Sequence, residues 1–273
     1  MVHAAAEAQL GYNAGPHRFT SHRQPMTLRS VLILAMALGH GAAFGADTIE
    51  ERTWNTSAEL GAITTSGNTT GTSVTGKIDA RQELEDWSNQ YILSGFFKED
   101  QTQTNNGNKK YVRSAERFAL SARAAYKLME EGERLFVLGS HVDDRFGAYS
   151  RYSSVSVGRA KRLLKSDDKI VEVELGPGYF SGVRATGEEE DGVTVRGAAN
   201  MRWQISDAAL FTQTVAVERG TSNTHSVAET ALQAKINGTM QMKAAFSARN
   251  DSNVPVEKKN TDTQTSLTLV YSF

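Results

Sequence analysis

The sequence predicts an all-β fold: a single transmembrane antiparallel up-and-down β-barrel of about twelve strands, with N- and C-termini periplasmic. Three observations predict it. From about residue 52 onward, polar and apolar residues alternate with period two and are interrupted by turn-forming residues. Longer polar connections alternate with tight ones, as in an outer-membrane barrel with loops outside and turns in the periplasm. The chain stops on "TSLTLVYSF", in which Leu267, Leu269, Tyr271 and Phe273 share one strand face up to the last residue. A mean hydropathy of −0.42 does not argue against a membrane. A barrel averages lipid-facing and lumen-facing side chains.

The first strand is expected over about Arg52–Ile63, with Trp54, Thr56, Ala58, Leu60 and Ala62 on one face, and "TSGNTTG" breaks it. The second, about Thr70–Leu84, sets Val74, Gly76, Ile78 and Ala80 outside against Thr75, Lys77, Asp79 and Arg81 inside. After the turn "EDWSN" comes Gln90–Glu99, then the long polar loop "DQTQTNNGNKK". The fourth strand, about Tyr111–Met129, alternates most clearly: Phe118, Leu120, Ala122, Ala124, Tyr126 and Leu128 oppose Arg113, Arg117, Ser121, Arg123 and Lys127. On a helix those apolar positions would wrap all round the axis, so the helical reading fails.

Strands five and six are expected over about Arg134–Arg145 and Tyr149–Leu164, with "EEGE" and "KSDD" as turns before and after. Strand seven, Lys169–Gly182, leads to the acidic loop "RATGEEEDG", and strand eight is Val193–Ile205. Strands nine (about Ala208–Arg219) and ten (His225–Ile236) precede "NG", a strong hairpin signal. Strand eleven is Thr239–Asn250, "DSNVPVEKKN" is a long loop, and strand twelve ends at Phe273. Strands three, six and nine alternate least well. Trp54, Trp87, Trp203 and Tyr126, with Tyr271 and Phe273, fall near one rim and form an aromatic girdle.

The N-terminal segment reads as export. Arg29, the apolar run Val31–Leu38 and the small residues Ala43 and Gly45 make a secretory signal peptide cut after Gly45. Residues 1–25 fit no part of it and read as a gene-model extension, with Met26 as the start; 26–45 is the signal peptide and 46–273 the barrel domain. Removing residues 1–45 takes away three arginines and one glutamate, leaving 27 basic and 30 acidic residues, net −3. Nothing in that balance suits nucleic acid. There is no cysteine, hence no disulfide framework and no thiolate chemistry.

The predicted lumen face carries Glu59, Lys77, Asp79, Arg81, Arg113, Arg117, Arg123, Lys127, Glu172, Glu174, Arg196, Arg202, Glu218, Glu229, Lys243 and Arg249. Two readings stay open. The mixed charges line a narrow channel whose Arg-rich fourth strand guides anions, or they crosslink a closed interior. An enzyme is the third class. "GSHVDD" offers Ser140, His141, Asp143 and Asp144, but neighbouring strand residues point to opposite faces, and His225 beside Ser226 has the same defect. Two distant histidines make no metal site, and the run Glu188–Asp191 reads as a solvated loop tip. The glycines of "TSGNT" precede neither Lys-Ser/Thr nor a helix, so they form no phosphate loop. No catalytic residue, metal or cofactor is expected.

The stretch "ELGAITTSGNTTGTSVTGKIDA", Glu59–Ala80, resembles the SGNT hairpin of the YdiY-like proteins, labelled salt-induced outer-membrane proteins and otherwise a domain of unknown function. The resemblance extends over roughly Trp54–Phe273, including the terminal "LVYSF". It implies a Gram-negative outer-membrane barrel exported through Sec, and it brings no catalytic residues. The expected function is a narrow channel for small ions or solutes linked to salt or osmotic stress. The alternatives are a closed structural or surface-binding barrel and, third, a lipid-modifying enzyme. Expected partners are outer-membrane lipid and lipopolysaccharide, with the barrel-assembly machinery reading Leu267, Leu269, Tyr271 and Phe273; no partner is expected among nucleic acids.

Overall fold

The computed structural model describes residues 53–65, 71–103, 109–256 and 258–273. The signal-peptide and gene-model expectations lie outside these residues. Twelve strands follow one another in chain order: β1 (Trp54–Thr65), β2 (Gly71–Glu83), β3 (Trp87–Gln103), β4 (Lys109–Lys127), β5 (Glu133–Asp144), β6 (Tyr149–Lys165), β7 (Lys169–Arg184), β8 (Glu189–Ser206), β9 (Ala209–Arg219), β10 (Thr224–Lys235), β11 (Met240–Asp251) and β12 (Thr261–Ser272). Each pairs antiparallel with its neighbours, and β1 pairs with β12 to close the barrel. The alternation read from the sequence therefore found all twelve strands.

Closure removes the edges that an open sheet would present. The seam registers Ser57 with Ser272 through Leu60 with Leu269. Beyond it, Thr56 and Phe273 exchange both backbone hydrogen bonds, at 3.3 and 2.9 Å. The terminal residue is thus tied on both its donor and its acceptor. A twelve-residue strand is about 40 Å long at roughly 3.3 Å per residue. Tilted by about 40°, it stands about 30 Å tall, enough for an apolar band of about 25 Å.

The outward rows supply such a band. Leu60, Leu120, Leu175, Leu232, Leu267 and Leu269 all lie open on the outer face. One rim holds both ends of the barrel and the tight connections 84–86, 128–132, 166–168, 207–208 and 236–239. The girdle residues gather at this rim: Trp54 stacks on Tyr91, Trp87 meets Tyr126 edge-on at 5.3 Å, Trp203 meets Phe211, and Tyr271 lies beside Phe273.

The opposite rim departs from expectation. The acidic "RATGEEEDG" is mostly strand: β7 runs to Arg184, β8 begins at Glu189, and only 185–188 turn, with Gly187 at φ 89°. Of the run Glu188–Asp191, only Glu188 therefore lies in the turn, and Glu189–Asp191 are strand. Glu190 accepts hydrogen bonds from Tyr149 Oη at 2.9 Å and Arg184 Nε at 2.8 Å, and from Ser222. Local hydrophilicity concealed this extension, because cross-strand partners satisfy the carboxylates. The predicted long loop after β3 is likewise shortened, with β3 reaching Gln103 and β4 starting at Lys109. Height on this side comes from long strands, and 252–260 is the one extended connection among the described residues.

Candidate functional site

The interior is the place to look for chemistry, and it is unevenly filled. On the β4–β8 side, charges meet across strands that are not neighbours as well as between adjacent ones. Arg123 on β4 lies 2.9 Å from Glu174 and 3.8 Å from Glu172, both on β7. Arg134 on β5 reaches Glu172 at 2.9 Å, and Arg196 on β8 stands 3.9 Å from Glu174. The Arg123 guanidinium also lies over the Phe136 ring, 5.4 Å from its centroid. Phe136 and Glu174 are almost fully buried. A buried carboxylate needs such partners, because desolvation costs more than one exposed pair returns.

Higher in the same half, Tyr152 on β6 crosses the lumen. It stacks on Phe180, donates to Glu218 on β9 at 3.3 Å, and lies 5.6 Å from the His225 ring on β10. His225 in turn donates from Nδ1 to Asp251 at 2.9 Å.

The other half, walled by β1–β3 and β10–β12, encloses a chamber of about 250 Å³. Lys243 binds Glu59 at 3.2 Å and Glu229 at 3.1 Å, while Lys77 stands 3.8 Å from Glu59. Arg117 faces the chamber and pairs with Asp144 at 3.3 Å. Arg249 also faces it, and its Nη2 donates to the Gln264 amide oxygen at 3.1 Å.

The remaining candidates sit apart from both groups. Asp79 accepts from Arg81 and from Gln90, on the lumen side of β2 and β3. Lys127 donates to the Leu84 carbonyl at 2.5 Å and pairs with Glu83, at the girdle rim. Arg202 lies opposite Thr212 and forms no ion pair among the described residues. Arg113 is a correction. A bulge between Lys98 and Glu99 sets Phe97 opposite Glu116 but Glu99 opposite Arg113. The extra residue turns Arg113 to the outer face, where it pairs with Glu99 and Glu116 and covers the Phe97 ring. Strict period-two counting cannot foresee a bulge.

The weighed serine and histidine diverge. Ser140 shares a 2.9 Å hydrogen bond with Ser154, whereas His141, one residue on, bonds Ser153 at 2.8 Å on the face that carries Leu120. Over the mouth, Lys258 of the 252–260 connection donates to the Phe146 carbonyl at 2.9 Å. Phe146 belongs to the β5–β6 turn, on the far side of a twelve-strand ring from β11 and β12. The segment's root is held by Asn223, which accepts from Asn253 N–H at 3.0 Å and from Ser252 at 3.1 Å.

The family model described as "Protein of unknown function, DUF481" matches residues 58–273. The chain belongs to this family. It is 29% identical over 161 residues to the Escherichia coli (strain K12) "Uncharacterized protein YdiY", and the match spans 59% of this chain and 63% of that relative. Among solved structures, it is similar to the translocator domain of autotransporter NalP from Neisseria meningitidis, with 14% identity, 90% and 93% coverage and a TM-score of 0.44. It is also similar to the COG4313 outer membrane channel from Pseudomonas putida F1, with 10% identity, 84% and 100% coverage and a TM-score of 0.49. The NanC porin gives 6% identity, 80% and 98% coverage and a TM-score of 0.46.

In this DUF481 barrel, sequence reasoning named most of the charged residues but not their grouping. It missed Arg134, Tyr149, Tyr152, Glu190 and Lys258. Tyr152 could have been found, because it stands at a polar-face position of β6; Tyr149 has the parity of the outward Val155 and Val157, and a register shift between Tyr149 and Arg151 turns it inward. Lys258 left no trace in any periodic pattern.

Proposed function

We propose that this protein is an outer-membrane barrel of the Gram-negative envelope that forms a narrow pore for small ions or solutes. The short turns and both ends of the barrel are placed in the periplasm, and lipid and lipopolysaccharide lie against the outer face. The observation that carries the reading is the polar chamber inside a closed wall whose outer rows are apolar. Leucines open to water on every side would aggregate, whereas lipid accommodates them. Export through Sec and recognition of Leu267, Leu269, Tyr271 and Phe273 by the assembly machinery belong to the same proposal. The link with salt or osmotic stress rests on the family resemblance alone. No catalytic step is assigned, since Ser140 and His141 point to opposite faces.

A second reading, a closed structural barrel, is favoured by the crossed half of the lumen and by the Lys258–Phe146 strap. Single-channel recording of the refolded barrel in a planar bilayer separates the two, with heat-modifiable gel mobility as the folding control. The pore predicts discrete steps and, in Arg117→Glu, a shift of selectivity toward cations. A folded barrel that never conducts leaves the closed reading.

A further inference from the structure

The charges around the chamber do not balance. Glu59 and Glu229 are matched by Lys243, with Lys77 beside Glu59. Arg117 is matched by Asp144, whose Oδ1 is already committed to the N–H groups of Phe146 and Gly147. Arg249 has no such partner. Its fork faces the chamber from β11, its hydrogen bond goes to a neutral amide, and no carboxylate lies within ion-pair distance among the described residues. Asp262 is its register partner on β12 but makes no ion pair with it, so the guanidinium is withdrawn from bulk water with no carboxylate bonded to it, which is costly unless a ligand supplies one. Its planar donors match two oxygens of one anion.

We propose that the chamber is a binding site for a small oxyanion, a carboxylate or a phosphate, clasped by Arg249 with Arg117 and Lys77 contributing positive potential. The volume of about 250 Å³ suits a molecule of a few carbons. The site deepens the pore reading by naming the solute class, and it rests on that reading for the step from binding to passage. Lys77 is the loosest of the chamber's paired cations, at 3.8 Å from Glu59.

The test measures binding separately from conduction. Folded protein extracted in detergent is titrated calorimetrically with sodium acetate and with sodium phosphate at fixed ionic strength. Saturable binding of at least one is expected, the tighter of the two naming the anion. Arg249→Gln should weaken it ten-fold or more, Arg249→Lys should weaken it less, and Arg219→Gln, on the outer face, should leave it unchanged. Gln264→Glu is the second arm: it gives Arg249 the missing counter-charge and should abolish binding in a barrel that still folds. Saturation by neither anion, or undiminished affinity in Gln264→Glu, overturns the site. A barrel that binds but never conducts removes the pore and leaves the site. One that conducts but binds neither anion removes the site and leaves the pore.

Discussion

Arg123 shows how much a single interior side chain can carry. It faces Glu174 and Glu172 on a strand three places round the wall, and its guanidinium covers Phe136. Arg123→Ala would leave Glu174, whose side chain is 5% exposed, with only the distant Arg196. The expected cost is about 3–5 kcal/mol, the usual penalty for stranding a buried charge. Urea unfolding of the detergent-solubilised barrel would measure it. The double variant Arg123→Met with Glu174→Met should recover most of the loss, since an apolar pair of similar size needs no partner. That Arg123, Glu172 and Glu174 face inward was legible from alternation. That they meet was not, because contacts across the lumen depend on strand stagger, which no single strand encodes. Arg113 fails for a related reason, since one unpaired residue upstream of Glu116 inverts every face beyond it.

Among the elements, β6 and β7 contain a pinch. Pro177 interrupts the ladder, and the registered pairs jump from Ser156–Gly178 to Arg159–Leu175. Proline has no N–H to give, so it is normally excluded from a strand paired on both sides. Gly158 and Gly176 make it tolerable here by letting the two backbones approach. A Cβ on Gly176 would stand 2.6 Å from Gly158 Cα, and one on Gly158 would stand 2.9 Å from Gly176 Cα. Gly176→Val should therefore part β6 from β7, at a cost above the ~1–3 kcal/mol of ordinary overpacking. The measurement is the yield of heat-modifiable barrel on refolding, which should fall several-fold, while Gly139→Ala, where a Cβ meets nothing within 4 Å, should refold normally. Strand existence was readable because the outer face and the lumen carry opposite chemistry on successive residues. Strand length was not, because toward the rim both faces turn polar and the alternation fades. Glu189–Asp191 and Thr102–Gln103 were lost in that way.

For the molecule as a whole, the 252–260 segment ties one side of the mouth to the other. It leaves β11, takes hold of Asn223, and reaches Phe146 through Lys258. If the barrel conducts, Lys258→Ala should raise the fraction of time spent open in bilayer recordings without altering Arg117-dependent selectivity, since the strap lies outside the chamber. The ends of the wall carry a different implication. Thr56 and Phe273 are hydrogen-bonded partners, so in a chain begun at Thr53 a short peptide could join the two ends of the barrel without moving a strand. The chain could then be cut anew at the 236–239 turn, giving a circularly permuted barrel with every pairing intact. Such a molecule would separate the pairing of Phe273 with Thr56 from the assembly-signal role proposed for it. In detergent it should close as the parent does, because Phe273 still meets Thr56. If the assembly machinery reads the terminal aromatic as proposed, the permuted chain should stall in a living envelope, because Phe273 would lie in the middle of the polypeptide.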